Sequence, residues 1–156
     1  MNTTISIIIG IAVLALLLFR QTQKRSVRED RKPTLLLILA VIGVLDLVNY
    51  LKDNPANGTA IAMLTASLVL AAGFGVIRAY TVRLWREDGT LWRQGNALTI
   101  VLWLVAIGLH FGADFLIDHD NPAKGLSSAA LMLYIAVSFG VQRLVVQSRA
   151  SHVLAV

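Results

Sequence analysis

The 156-residue sequence predicts an all-α membrane protein of five transmembrane helices. Three observations carry that expectation: long apolar runs, a lopsided distribution of Lys and Arg, and an internal repeat. Hydrophobic residues make up 56% of the chain and charged residues 15%, against about 45–50% and about 25% in soluble domains. Mean hydropathy is +0.70. The apolar excess is concentrated in runs separated by charged clusters, as in a polytopic protein.

A bilayer core of about 30 Å needs about 20 helical residues, with about 17 as the lower bound. Five segments qualify: 3–19, 33–51, 59–77, 97–117 and 126–146. Together they form one bundle that fills the chain. In the first, no basic residue precedes the apolar run, and Arg20, Lys24 and Arg25 follow it. A signal peptide has the reverse order, so this segment reads as an uncleaved helix. Pro33 suits the first turn of the second.

Direction follows from charge. All of the 14 Lys and Arg except Lys52 and Lys124 fall after spans one and three or in the last span and tail. Those regions are expected in the cytoplasm, with the N-terminus outside and the C-terminus inside. The net charge of +5 is absorbed by this bias, so nucleic acid is not an expected partner. The bilayer is, as a multi-pass protein of a cell (inner) membrane, and anionic headgroups suit the basic loops. There is no cysteine, which removes disulfides, thiolate metal sites and cysteine catalysis.

The outer loops read Asp53-Asn54-Pro55-Ala56-Asn57-Gly58 and Asp120-Asn121-Pro122-Ala123-Lys124-Gly125. Spans three and five close on Phe74-Gly75-Val76-Ile77-Arg78 and Phe139-Gly140-Val141-Gln142-Arg143. Thr34 and Thr99, and Ile42-Gly43 and Ile107-Gly108, match at one offset. The expectation is one lone helix followed by two tandem hairpins, 34–78 and 99–143, related by a pseudo-twofold along the membrane normal. Convergent turn chemistry at Asp-Asn-Pro is the plainer alternative. The second copy is longer at the outer end of span four, beside His110 and Asp114.

Ionisable groups inside spans cost about 2.5–3.5 kcal/mol each on insertion scales, which makes them candidate functional residues. Asp46 falls about 8 Å inside the outer end of span two, on one stripe with Asn49, Tyr50 and Asp53. His110, Asp114 and Asp118 share a face of span four. Tyr134, Ser138 and Gln142 share one of span five. The functional reading is an outward polar pocket between spans two and four, floored by Asp46, His110 and Asp114. It would bind a cation, relay protons, or hold a metal through His110, Asp114 and Asp118. The plainer reading is hydrated carboxylates near the interface and an imidazole bonded to a neighbouring helix. A lone intraspan histidine argues against bis-histidine haem, and no P-loop, GxSxG, HExxH or CxxC motif is present. Cofactors stay undetermined. Gly108 with Gly112, and the small residues Ala71, Ala72, Gly73 and Gly75, read as helix-packing faces.

Residues 80–96 flank Asp88-Gly89 with β-prone and basic residues, a hairpin signal. It would set Trp85 and Trp92 with Arg83, Arg86 and Arg93 at the cytoplasmic interface, as an anchor or as a docking surface. Thr81-Val82-Arg83-Leu84-Trp85, Asp88-Gly89, Leu91-Trp92-Arg93-Gln94-Gly95, Ala97-Leu98-Thr99 and Leu102-Trp103 resemble the small bacterial CcdC-like membrane proteins. The similarity covers about 72–117. It implies a bacterial multi-span protein and transfers no catalytic residue. The family was named through cytochrome c maturation, and the lack of cysteine speaks against a thiol-redox role here.

Two function classes follow. One is a non-enzymatic transport, sensing or accessory subunit, self-associated or joined to a membrane partner that helps bury its polar faces. The other is a membrane-embedded enzyme, with or without a metal, in which His110, Asp114 and Asp46 act on a lipid-linked or periplasmic substrate. A third option, a cation or proton path, needs a polar route past Tyr134 and Gln142.

Overall fold

The structure is a computed structural model that describes residues 12, 15–16, 18–27, 33–54, 57–117 and 125–154, with the backbone alone at 111, 113–117 and 153–154. Span 3–19 therefore lies largely outside the described residues. Its end is helical over 18–22 (α1). Four further helices follow: α2 (Thr34–Asp53), α3 (Gly58–Thr81), α4 (Ala97–Ile117) and α5 (Leu126–Leu154). Thr34–Asp53, Gly58–Thr81 and Leu126–His152 are long and apolar enough to cross a membrane.

The helix starts are chemically marked. The Asn57 side chain accepts from the Ala60 N–H at 2.8 Å. Asn96 Oδ1 accepts from the Thr99 N–H at 3.0 Å, and Thr99 Oγ1 accepts from the Asn96 N–H at 3.2 Å. This is the reciprocal capping pattern that satisfies otherwise orphaned first-turn donors. At the other end, α5 runs beyond the expected 146, and Arg149 uses the extra length. Its guanidinium donates to the carbonyls of Ala79 and Val82, closing the end of α3.

α5 is the axial helix. It packs on α3 and on α2, while α4 rests on α3 and touches α5 more lightly. Leu39, Ala71, Trp103, Ala106, Tyr134, Ile135 and Ala136 form the main core. Close approach depends on two glycines. A Cβ on Gly43 would overlap the Leu133 backbone, and one on Gly75 would lie 2.5 Å from the Ser138 carbonyl oxygen. Gly108, Gly112 and Gly73 have nothing within 4 Å of that position. The packing face expected at Gly108 and Gly112 is thus absent among the described residues, and of the small stretch on α3 it is Ala71 and Gly75 that seat against neighbours.

Large apolar side chains are exposed around the outside, among them Leu37, Val41, Leu45, Val69, Val101 and Leu104. Such a continuous apolar surface suits lipid and not water.

The hairpin expected at 80–96 is present. β2 (Arg83–Glu87) and β3 (Thr90–Gln94) are antiparallel, with Glu87 paired to Thr90. Asp88 and Gly89 both have positive φ, 50° and 73°, as a tight two-residue turn with the strands' twist requires. A third strand, β1 (Arg25–Ser26), adds to the other edge of β3, giving the order β1-β3-β2. Leu91 is buried, and Leu84 packs on a small core of Ala79, Val82 and Val146. The sheet is thereby fixed to the ends of α3 and α5.

Gly43→Val should destabilise the fold by about 1–3 kcal/mol or more, because the clash is with backbone. Gly108→Val should cost much less. Thermal unfolding in detergent checks the contrast, and equal losses would contradict the different packing of the two positions.

Candidate functional site

Two buried polar groups lie along α5. The first centres on His110 of α4, which is 6% exposed. Its Nε2 lies 3.0 Å from the Ser127 carbonyl oxygen and its Nδ1 3.0 Å from Ser67 Oγ. A carbonyl only accepts, so Nε2 carries the hydrogen and Nδ1 accepts from the Ser67 hydroxyl. The ring stacks obliquely on Tyr134, with centroids 4.4 Å apart, and Tyr134 donates to the Ala106 carbonyl at 3.2 Å.

Beside this cluster is a cavity of about 180 Å³ between α3, α4 and α5. Apolar side chains, including Met63, Leu64, Leu70, Leu109 and Leu126, make most of its wall. Ser67, His110, Ser127 and Tyr134 supply the polar part of the lining. Of these, His110 and Tyr134 were legible as candidates from their positions in spans. Ser67 and Ser127 were not, because a serine in an apolar helix is common.

Asp46 is exposed on α2, and Asn49 is exposed beside Lys52, whose Nζ lies 3.4 Å from Asn49 Oδ1. Tyr50 is half-buried, near Gly125. The Asp114 side chain and all of Asp118 lie outside the described residues. The structure therefore brings His110 and Tyr134 together, while Asp46 is exposed and does not line the cavity beside them. Among the described residues no three His, Asp or Glu gather as a metal site would need. With Nδ1 and Nε2 both engaged, a metal at His110 would have to displace a serine contact.

The second group is built around Arg78, which closes the repeated motif of span three and which the positive-inside count assigns to a cytoplasmic loop. It is fully buried. Its guanidinium lies 3.9 Å from the Trp103 ring centroid, and Nη2 donates to Ser138 Oγ at 2.5 Å. Ser138 in turn donates to the Ala71 carbonyl at 2.8 Å. One helical turn along α5, Gln142 and Gln21 exchange two side-chain hydrogen bonds, 3.0 and 3.2 Å. Thr81 and Thr99 meet at 2.8 Å. A desolvated cation over an indole face gains about 2 kcal/mol, less than the several kcal/mol that burying an ion costs.

On the sheet, Trp85 and Trp92 are directly paired and share a face. Lys24 lies 4.5 Å from the Trp92 ring centroid and 5.6 Å from that of Trp85, and it pairs with Glu87. Arg83 and Arg86 are exposed and Arg93 is half-buried. The hydrogen bond from Lys24 holds the Glu87 carboxyl below its ordinary range, helped by one from the Trp85 indole.

The fold is that of a helical protein with several helices of membrane-crossing length and a small basic sheet at one end. The chain matches no family model, no curated protein and no solved structure.

Ser138→Ala should cost about 1–3 kcal/mol, since it removes the one hydrogen-bond acceptor that Arg78 has among the described residues. Detergent unfolding of the variant measures it. The Glu87 pairing should act at neutral pH and fade as pH falls through the depressed pKa, because an acid with a lowered folded pKa binds its proton more readily when unfolded. Glu87→Gln should remove that part of the acid dependence of sheet unfolding, followed by Trp fluorescence.

Proposed function

We propose that this chain is a non-catalytic multi-pass membrane protein, a small transport, sensing or accessory subunit, and that the cavity beside His110 is its ligand site. Its N-terminus lies outside and its C-terminus in the cytoplasm, with five spans in all. The CcdC-like resemblance over about 72–117 belongs to the same proposal and implies a bacterial multi-span protein.

One observation carries the reading: an apolar cavity of about 180 Å³ with an imidazole and two serines in its lining. An engineered apolar cavity of about 150 Å³ takes up benzene, so the volume suits a short apolar moiety. The surrounding faces of α3 and α4 carry exposed Val69, Leu70, Leu104, Val105 and Leu109. A guest would therefore come from the lipid phase. Ser67 and His110 suit a hydroxyl or other uncharged polar head. The site favours an uncharged amphiphile.

The duplication gives a reason for the cavity. In a parallel pseudo-twofold, α3 and α5 form the central pair, α2 packs on α5, and α4 packs on α3. The principal helix contacts follow that pattern. Gly43 and Gly108 are then counterparts, but only Gly43 meets its neighbour's backbone. The seam around α4 is the looser one, and the cavity lies along it. His110 stands where the first copy has Leu45.

The third option, a cation path along Tyr134 and Gln142, is disfavoured by the fixed positive charge of Arg78 beside that route.

A medium-chain alcohol such as decanol should stabilise the detergent-solubilised protein saturably, by about 2.7 kcal/mol at 100 times its Kd. Ala130→Leu, which adds bulk at the cavity wall, should abolish the shift while leaving the protein folded. An undiminished shift in that variant would overturn the assignment. Topology is checked separately, since the chain has no cysteine. A single cysteine at Asp53 should react with an impermeant maleimide on intact cells, and one at Arg86 only after permeabilisation.

A further inference from the structure

Arg78 presents a charge that the described residues do not balance. Its side chain is fully buried, and among the described residues Ser138 is the one that accepts a hydrogen bond from it. Among the described residues Nε and Nη1 are buried without a hydrogen-bond partner, and so is Nε1 of Trp103, the ring on which the guanidinium lies. Three donor nitrogens of one stacked pair are left over. Among the described residues no carboxylate reaches Arg78. Glu87 is paired with Lys24 at the sheet, and Asp46 and Asp53 are exposed. The Tyr134 hydroxyl is committed to the Ala106 carbonyl.

Buried charges are ordinarily paired, and buried donors ordinarily satisfied. A cation retained against both rules, on an aromatic platform, matches what recognises an oxyanion. We propose that Arg78 and Trp103 form a binding site for a small oxyanion, a phosphate group or a carboxylate. The site is separate from the His110 cavity and does not depend on a ligand there. It lies within a turn of the sheet end of α3, which terminates at Thr81. The bonded pair Gln21 and Gln142 lies one turn further toward that end on α5. Two sources share the chemistry: a lipid headgroup phosphate and a soluble phosphate.

The test uses the full chain in a neutral, lipid-free detergent. Trp85→Phe with Trp92→Phe leaves Trp103 as the only indole. Inorganic phosphate should shift Trp103 emission saturably and raise the unfolding temperature. In the three-tryptophan protein, Trp103→Phe keeps an aromatic face and loses one donor. It should weaken the thermal response about tenfold, the worth of one charge-assisted hydrogen bond. Arg78→Gln should abolish it. A parallel arm follows phosphatidylglycerol retained on the protein by native mass spectrometry.

A phosphate response sensitive to both substitutions supports the proposal with a soluble ligand. Retained phosphatidylglycerol lost in Trp103→Phe, without a phosphate response, supports it with a headgroup. If the folded wild type responds to neither, or if Trp103→Phe responds as the wild type does, the proposal is overturned. The Arg78 charge is then tolerated without any bound anion.

Discussion

The structure depends on how closely the backbone of α5 is approached from two sides. Gly75 lets α3 lie against the Ser138 carbonyl, and Gly43 lets α2 lie against Leu133. Without a hydrophobic force to draw helices together in lipid, such packing and the hydrogen bonds it permits are what holds spans to one another. The bond from Ser138 to Ala71 O exists because the two helices are that close. Arg78 reaches Ser138 for the same reason. The buried polar groups are thus a product of the small-residue contact and not an addition to it.

This arrangement makes α5 the helix that carries the chemistry. Ser127, Tyr134, Ser138 and Gln142 each meet a polar partner from another helix: α4 for the first two, then α3 and the end of α1. The apolar outer faces of α2, α3 and α4 contribute surface and little else. Polar specificity sits on the inside and hydropathy on the outside, the reverse of a soluble bundle.

Much of this was legible in sequence, and the gaps have physical causes. Helices α2 to α5 follow from apolar run length, which is a local property. The β2–β3 hairpin follows from Asp88-Gly89, where positive φ is needed twice. β1 was missed because two residues, Arg25 and Ser26, carry no periodicity. Arg78 was missed because counting positive charges to orient a chain assigns each Arg to a loop. Its burial is decided by Trp103 and Ser138, residues from other helices. A stripe of polar residues on one helix, such as those read on α2 and α4, does not say which helix it meets. Asp46 is exposed, and His110 turned toward α3 and α5. The glycines were ambiguous in the same way. Gly43 and Gly108 share a sequence context, and only the partner surface makes one of them a contact.

The connection between β3 and α4 has a mechanical consequence. β3 ends at Gln94 and α4 begins at Ala97, and the linker is pinned where the Gly95 N–H donates to the Gln21 carbonyl at 2.8 Å. So short a tether has no slack. Of α2 to α5, the helix with the least backbone contact to the other three is therefore joined stiffly to the sheet, with its paired tryptophans and basic rim. Any tilt of α4 must be matched by a tilt of β3, with the pin at Gly95 as the fulcrum. That helix and the basic sheet behave as the two arms of one lever.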